Sequence, residues 1–467
     1  MLLQTKLPFK AKVDISSEII LKEKLKVKNE IDFISGDTKK CLLMVALPMM
    51  AAMFLNMAYN LVDSLWIGNL MGETAYAALT SSTPIILILN SIAMGATNGV
   101  SILLSRAVGA GDRENTESLV ATSLVVSALF SVGVTVLLEL FLRPLLILLQ
   151  TPGETFQMAC EYLEIYLLGY LAVYLYCYFT AVLRSFGNTV FQVVAMLVCT
   201  ILNAVLDPLF IHWMGFRGAA AATLLSQMLC LIFMLGYLWK KRLFEFHITA
   251  FRIRWIGLLF AKGIPAAFQQ SIPAVSTSFL TSLVSGYGVS AIAAYGITGK
   301  METVLFYPAM ALNMVLTSVV GQCIGGKRSD RAKDYLKTSL VYGCILLGIL
   351  SLVIVIFARQ ISGLFVDSRA AAEIVRMYFL IVGAGYILNT VTNCFLGAVN
   401  GMGKPAKSLL CMVLYYLLIR MPLAAMFSAL GLGLNGIWTA VLISHIVAAV
   451  AAALAGNHEL RRSDCMP

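Results

Sequence analysis

The chain has 467 residues, 60% of them hydrophobic and 12% charged. A soluble domain carries about a quarter charged residues, so this composition excludes a soluble enzyme or a chain of domains joined by polar linkers. The net charge of +10 does not point to nucleic acid, because the basic residues sit at the ends of apolar segments rather than in one patch. The partner implied is a lipid bilayer.

Residues 1–38 are polar and read as a cytoplasmic N-terminal tail, partly disordered or lying on the membrane surface, with Lys6, Lys10 and Lys12 among Asp14, Glu18 and Glu30. Beyond them, apolar runs recur at the length a helix needs to cross hydrocarbon, about twenty residues. Helices are predicted near 41–66, 76–104, 119–141, 158–183, 190–212 and 218–239, then near 263–285, 291–322, 337–357, 376–399, 408–430 and 435–455. The fold class expected is therefore all-α and integral to the membrane, with about twelve spans. The domains follow: an N-terminal lobe over 39–239, a basic linker over 240–262, a C-terminal lobe over 263–456 and a short tail over 457–467.

Alternate connections carry the basic residues: Lys39 and Lys40, Arg113, Lys240 to Arg242, Arg252, Arg254, Lys262, Lys327, Arg328, Lys404, Lys407, Arg461 and Arg462. Gly68 to Tyr76 and Pro152 to Glu164 carry none. The positive-inside rule then puts both termini in the cytoplasm of a cell whose plasma or inner membrane the chain crosses. The ten cysteines form no CxxC pair and mostly lie within apolar runs, as Cys199, Cys230 and Cys411 do. They read as small packing residues, not as disulfides or metal ligands.

The two halves repeat. Met94 and Met310 stand 216 residues apart, as do Gly109 and Gly325 and also Gly187 and Gly403, while Pro48 and Pro265 stand 217 apart. Six helices per half make the repeats parallel, so the halves form two six-helix bundles related by a pseudo-twofold axis along the membrane normal. A cleft between them is the natural binding site, opened alternately to either side as the bundles rock.

A charge at mid-depth in a membrane helix costs about 2.5–3.5 kcal/mol and usually marks function. Asp63 and Asp207 are the acids most clearly within apolar helices, each shortly before an outward turn. Asn56, Asn60 and Asp63 share one face of helix one by their spacing of four and three. Asn203 and Asp207 are four apart on helix five, and Thr223 on helix six adds a hydroxyl. Such oxygens suit a hard cation, possible sodium coordination at Asp63, Asn203 and Asp207 included. A desolvated carboxyl there would equally carry a proton. The reading of the residues leaves proton and sodium open, and against both stands a buried hydrogen-bond network with no ion. Asn56, Gln269, Gln270, Lys300, Glu302 and Arg420 are candidates for the substrate cleft, Asn56 alternatively as a contact between helices and Lys300 and Glu302 alternatively as an interfacial pair. Pro48 and Pro265 are candidate hinges, since an interior proline removes a backbone hydrogen bond.

The segments NMAYNLVDSLWIGNLMG, GATNGVSILLSRAVGAGDR, ILNAVLDPLFI and GIPAAFQQS, in this order over roughly residues 40 to 455, resemble the multidrug and toxic compound extrusion (MATE) transporters. The resemblance implies a V-shaped pair of bundles, no cofactor beyond a proton or sodium as coupling ion, organic and often cationic small-molecule substrates, and a monomer as the working unit. It places Asp63, Asn203 and Asp207, and more loosely Thr223, at the N-lobe cation or proton site of the family's DinF-like branch. Other branches carry an acid on helix seven. Here that helix has Gln269 and Gln270, and helix ten has Asn389 and Asn393, which moves the expected ion site to the N-lobe. The cleft-facing helices look poor in base, favouring cationic or neutral substrates over the pyrophosphates of a lipid-linked sugar or peptidoglycan-precursor flippase, the alternative in the same superfamily. Nothing resembles an enzyme: there is no DDxxD-like run, and His212, His247, His445 and His458 are scattered.

Overall fold

The computed structural model describes residues 31–149, 151–241, 248–365 and 368–464. Twelve helical segments cross the long axis in alternating direction. The first half contains α1 (Thr38–Gly72), α2 (Thr74–Gly109), α3 (Arg113–Leu148), α4 (Gly153–Leu168 and Tyr170–Ser185, bent by 47°), α5 (Val190–Met214) and α6 (Phe216–Lys241). The second contains α7 (Arg254–Ser285), α8 (Val289–Gly325), α9 (Ser329–Gly363) and α10 (Arg369–Val382 and Gly385–Gly401, bent by 53°). It closes with α11 (Pro405–Ala429) and α12 (Gly433–Asp464).

Among the described residues, nine of these helices are long and apolar enough to cross a membrane as they stand, and the bent pairs α4 and α10 pass the same test as broken spans. The remaining helix, α7, has the length but is diluted by Gln269, Gln270, Ser271, Ser276 and Ser278. Lipid-facing surfaces are apolar, as a bilayer solvent requires. α3 turns Leu129, Leu140 and Leu148 outward and α9 turns Ile345, Ile349 and Ile356 outward. α8 is the innermost helix, its most apolar window 78% buried against 11% for α3.

The helices overrun the apolar runs because their ends are set by caps. Asp37 accepts from the Lys40 N–H at 2.7 Å, and Asp112 from the Asn115 N–H at 3.0 Å. α7 begins nine residues before the expected start at 263. Its Trp255 indole donates to Ser118 on α3 at 3.0 Å, and Lys262 donates to the Gly403 carbonyl at 2.7 Å. Arg254 and Lys262, expected in the linker, are helix residues with partners, while residues 242–247 of that linker lie outside the described part.

The bundles meet on the side where the described chain begins at 31 and ends at 464, the terminal face. Gly95 and Gly99 on α2 lie against the backbone of Ala267 and Gly263 on α7, Gly109 against Gln322 on α8, and Gly325 against Arg106 on α2. A Cβ at any of these glycines would overlap backbone, so only glycine permits this approach. Ser101 and Ser318, 217 apart in sequence, share a hydrogen bond of 2.9 Å between their hydroxyls. Ser105 and Gly321, mates at the offset of 216, also lie in contact, so repeat mates touch each other at the axis that relates the halves. Arg184 donates from Nε to Ser318 at 3.2 Å and from Nη2 to Asn98 at 3.3 Å, and Gln322 donates to the Ser185 carbonyl at 2.6 Å.

One expectation needs correction on this face. The polar tail expected over 1–38 is too long, because residues 31–37 pack into the protein; residues 1–30 lie outside the described part. Phe33 is fully buried, edge-on to Tyr335 with ring centroids 6.1 Å apart. Arg331 donates to the carbonyls of Phe33 and Gly36. Ile34 rests against Gly326 in the second half, and Ile31 and Phe33 lie against Gly187 in the first. The segment straps both bundles together because Ile31, Phe33 and Ile34 supply apolar side chains within an otherwise polar stretch.

Candidate functional site

In the first bundle, the turns at Gly72 (φ 79°) and Gly215 (φ 63°) set the depth of the acids that precede them. Left-handed backbone of this kind is open to glycine and strained for other residues. Asp63 on α1 and Asp207 on α5 are both buried, and their carboxyls are close neighbours. Asn203, one turn before Asp207, donates its amide to the Asp207 carboxylate at 2.9 Å. Thr223 on α6 is buried beside them, and the Tyr59 hydroxyl lies near Thr223 and Ser226. Tyr162 on α4 closes the pocket next to both acids.

Five oxygens in this pocket are buried without a hydrogen-bond partner: Asp63 Oδ1, Asp207 Oδ2, Asn203 Oδ1, Thr223 Oγ1 and the Tyr59 hydroxyl. Buried polar atoms are nearly always paired, so five orphans in one pocket mark room for a donor or a cation. Two adjoining carboxylates repel strongly in a low dielectric, and one added positive charge relieves that repulsion. The oxygen set fits a hard cation, and the carboxyl pair fits a shared proton.

Of the residues expected at the ion site, the structure brings together Asp63, Asn203, Asp207 and Thr223, and it leaves Asn60 out. Asn60 is exposed and donates to the Asn56 carbonyl at 2.7 Å, with Asn56 exposed beside it. Tyr59, Tyr162 and Ser226 escape the sequence reading. Tyr59 is one helical turn before Asp63 and Ser226 one turn after Thr223, the only signal available for either.

The substrate-cleft candidates separate as well. Gln269 is buried and accepts from Asn400 at 3.2 Å, so it ties α7 to α10. Gln270 is half-buried. Lys300 is exposed and lies over the Phe365 ring at 5.3 Å, beside the far end of α9, so it does not pair with Glu302. Glu302 instead accepts from the hydroxyls of Tyr378 and Tyr386, the latter at 2.6 Å. Pro48 and Pro265 both sit inside continuous helix, in company with Pro84, Pro144, Pro208, Pro273 and Pro308.

Arg420 lies at the end of a π-helical stretch, Val413–Arg420, within α11. Its Nε donates to Ser444 at 3.0 Å and its Nη2 to the Tyr415 hydroxyl at 2.8 Å, with His445 Nε2 at 3.3 Å. The guanidinium stands 4.7 Å and 4.6 Å from the ring centres of Tyr415 and Tyr416, within cation–π range. The second bundle thus holds a buried base, the Arg420 singled out as a candidate in the sequence.

Residues 48–209 and 265–426 each match the MatE family. The chain belongs to the MatE family. The two matched stretches fall one in each bundle, over its first five helices, so the repeat read from the sequence is the family's own. The chain is 28% identical over 438 residues to a probable multidrug resistance protein, YpnP, of Bacillus subtilis, covering 91% of this chain and 96% of that protein. It is also 28% identical over 436 residues to a protein named as an FAD transporter in Shewanella oneidensis, covering 91% and 96%. Among solved structures it is similar to an outward-facing multidrug resistance MATE transporter of the MOP superfamily, with a TM-score of 0.87, 25% identity, and coverage of 93% of this chain and 98% of that one. As a MatE protein this chain is a multi-pass membrane transporter and not an enzyme.

Proposed function

We propose that this MatE transporter exports small organic molecules across the cell membrane by alternating access, in exchange for protons or sodium entering at the Asp63–Asp207 pocket. The observation that carries the reading is the set of five buried, partnerless oxygens around two adjoining carboxylates in the first bundle. Oxygens gathered around two carboxylates are what a hard cation or a shared proton needs.

The basic residues of the connections cluster on the terminal face, which makes that face cytoplasmic by the positive-inside rule. Glycine contacts close it. The exposed Asn56 and Asn60 then belong to a cleft that opens outward, in keeping with the likeness to an outward-facing relative. Cation entry from outside neutralises the acid pair, changes how α1 packs on α5 and α6, and bends α1 near Pro48, with Pro265 as its counterpart in α7. The ion can shift the equilibrium only by its difference in affinity between the two states.

Proteoliposomes loaded with a fluorescent organic cation test this. Either a proton or a sodium gradient should drive transport by the wild-type protein, and Asp207→Asn should lose the gradient-driven component while folding normally. Transport by Asp207→Asn at the wild-type rate would sink the proposal.

A further inference from the structure

The repeat gives the ion pocket of the first bundle a counterpart in the second. Tyr162 and Tyr378 are mates at an offset of 216, and Ser226 and Ser444 at 218. Between Gly187–Gly403 and Gly215–Gly433 the offset grows from 216 to 218, and the π-helical turns of α11 fall in that interval. Within it Arg420 stands opposite Asn203, while the positions opposite Asp207 are apolar, Leu423 to Ala425. Opposite Asp63 stand Phe279 or Leu280. The counterpart has lost both carboxylates and gained a guanidinium.

The unsatisfied atoms are inverted too. In the ion pocket they are oxygens that need a positive partner. In the Arg420 cluster the buried atom with no partner is the donor Trp438 Nε1–H, and the hydrogen bonds of Arg420 among the described residues engage Nε and Nη2 only; the unpaired oxygens of Asn313 and Asn400 in the same bundle lie on α8 and α10. Trp438 belongs to the same aromatic cluster, its ring 4.8 Å from Tyr378 and 5.6 Å from Tyr295. The partners Arg420 does have are neutral. A guanidinium only donates, so His445 Nε2 is the acceptor and its proton sits on Nδ1, directed at the Tyr415 hydroxyl at 2.6 Å. Glu302 is engaged with Tyr378 and Tyr386 and does not reach ion-pair distance of Arg420. A buried arginine held flat on two tyrosines, with free N–H groups and no contacting carboxylate among the described residues, is built for planar recognition of an oxyanion.

We infer that the pocket around Arg420 receives an oxyanion, a carboxylate or phosphate group carried by the transported molecule itself. The protein then takes substrates that combine an anionic group with an aromatic or cationic body, rather than cations alone. This deepens the reading of the chain as a small-molecule exporter, and it is tested at equilibrium, without any gradient, so failure of the ion-coupling reading would not affect it.

The experiment measures fluorescence anisotropy of a xanthene dye with a free carboxylate and of its methyl ester, each titrated with the transporter in lipid nanodiscs. The wild-type protein should bind the acid roughly tenfold or more tighter than the ester, as expected for a charge-assisted contact. Arg420→Gln should bring the acid down to the ester's affinity, and Arg420→Lys should recover part of the preference. Trp438→Phe, which keeps an aromatic ring and removes the N–H, should reduce the preference several-fold, and covers the case of Arg420→Gln failing to fold. Equal affinity of wild type for the two dyes, no measurable binding of the acid, or a preference that survives in a folded Arg420→Gln overturns the inference. Acetate that strengthens ester binding in wild type would assign the pocket to a free anion and overturn the substrate-borne source.

Discussion

The two bundles share helices, turns and a common glycine contact at their axis, yet their interior pockets carry opposite chemistry. Around Asp63 and Asp207 the unpaired atoms are oxygens; in the Arg420 cluster the buried unpaired atom is the Trp438 N–H. The backbone scaffold is repeated where the two copies must pack on each other, at Gly109 and Gly325 or Ser105 and Gly321. Side chains in the bundle interiors face no such demand, so each copy can specialise. In the proposed mechanism one half takes the ion and the other takes part of the substrate, and rocking of one bundle on the other links them.

The strap gives the largest effect on stability that this comparison predicts. It lies mainly on the second bundle, so Phe33→Ala should cost about 3 kcal/mol, the lower range for a buried phenylalanine. Melting in nanodiscs would report the loss. Cys323, buried against the strap, should become reactive to a maleimide. Unchanged Cys323 protection would show that the strap does not hold the terminal face closed.

The seal should behave symmetrically where the pockets do not. A methyl group at Gly109 or at Gly325 meets backbone of the opposite bundle. Gly109→Ala and Gly325→Ala should each oppose closure of the terminal face by about 1–3 kcal/mol, the usual range for overpacking. Spin labels on the terminal ends of the two bundles should show the same increase in separation for both. A shift in only one variant would break the pseudo-symmetric reading of the contact.

The smallest expected effect is at Asp32, in the strap and outside the spanning helices. The Ser35 hydroxyl, with the N–H groups of Ser35 and Ile34, holds its carboxyl below the usual carboxylate range. A depressed value means the contribution is present at neutral pH and fades as pH falls through the lowered value. Asp32 is exposed, so Asp32→Asn should lower the melting point slightly at neutral pH and not at strongly acidic pH. An equal loss at both would exclude the carboxylate as its source.

Much of this is legible in the sequence because it depends on spacing along the chain. The repeat register, the six-plus-six order and the depth of Asp63 and Asp207 follow from apolar length, turn glycines and charge position. Asn203, Asp207 and Thr223 converge because the turns fix three helices at one depth. The misplacements are rotational. Asn60 shares a broad helix face with Asp63, but the bundle buries Asp63 and leaves Asn60 exposed. Proximity along the chain pairs Glu302 with Lys300, whereas two tyrosines of α10 bind it. His445 reads as a lone structural histidine because its partners, Tyr415 and Arg420, lie on another helix. The strap is hidden because three apolar residues among polar ones carry no periodic signal.

The most direct test of the ion site compares the halves in one measurement. Charge movement on a solid-supported membrane, after a jump in proton or sodium concentration and with no substrate present, reports ion entry alone. A transient current is expected in the wild type, surviving in Glu302→Gln and disappearing in Asp207→Asn. A current retained by a folded Asp207→Asn, or lost in Glu302→Gln, would contradict the assignment of the ion to the first bundle.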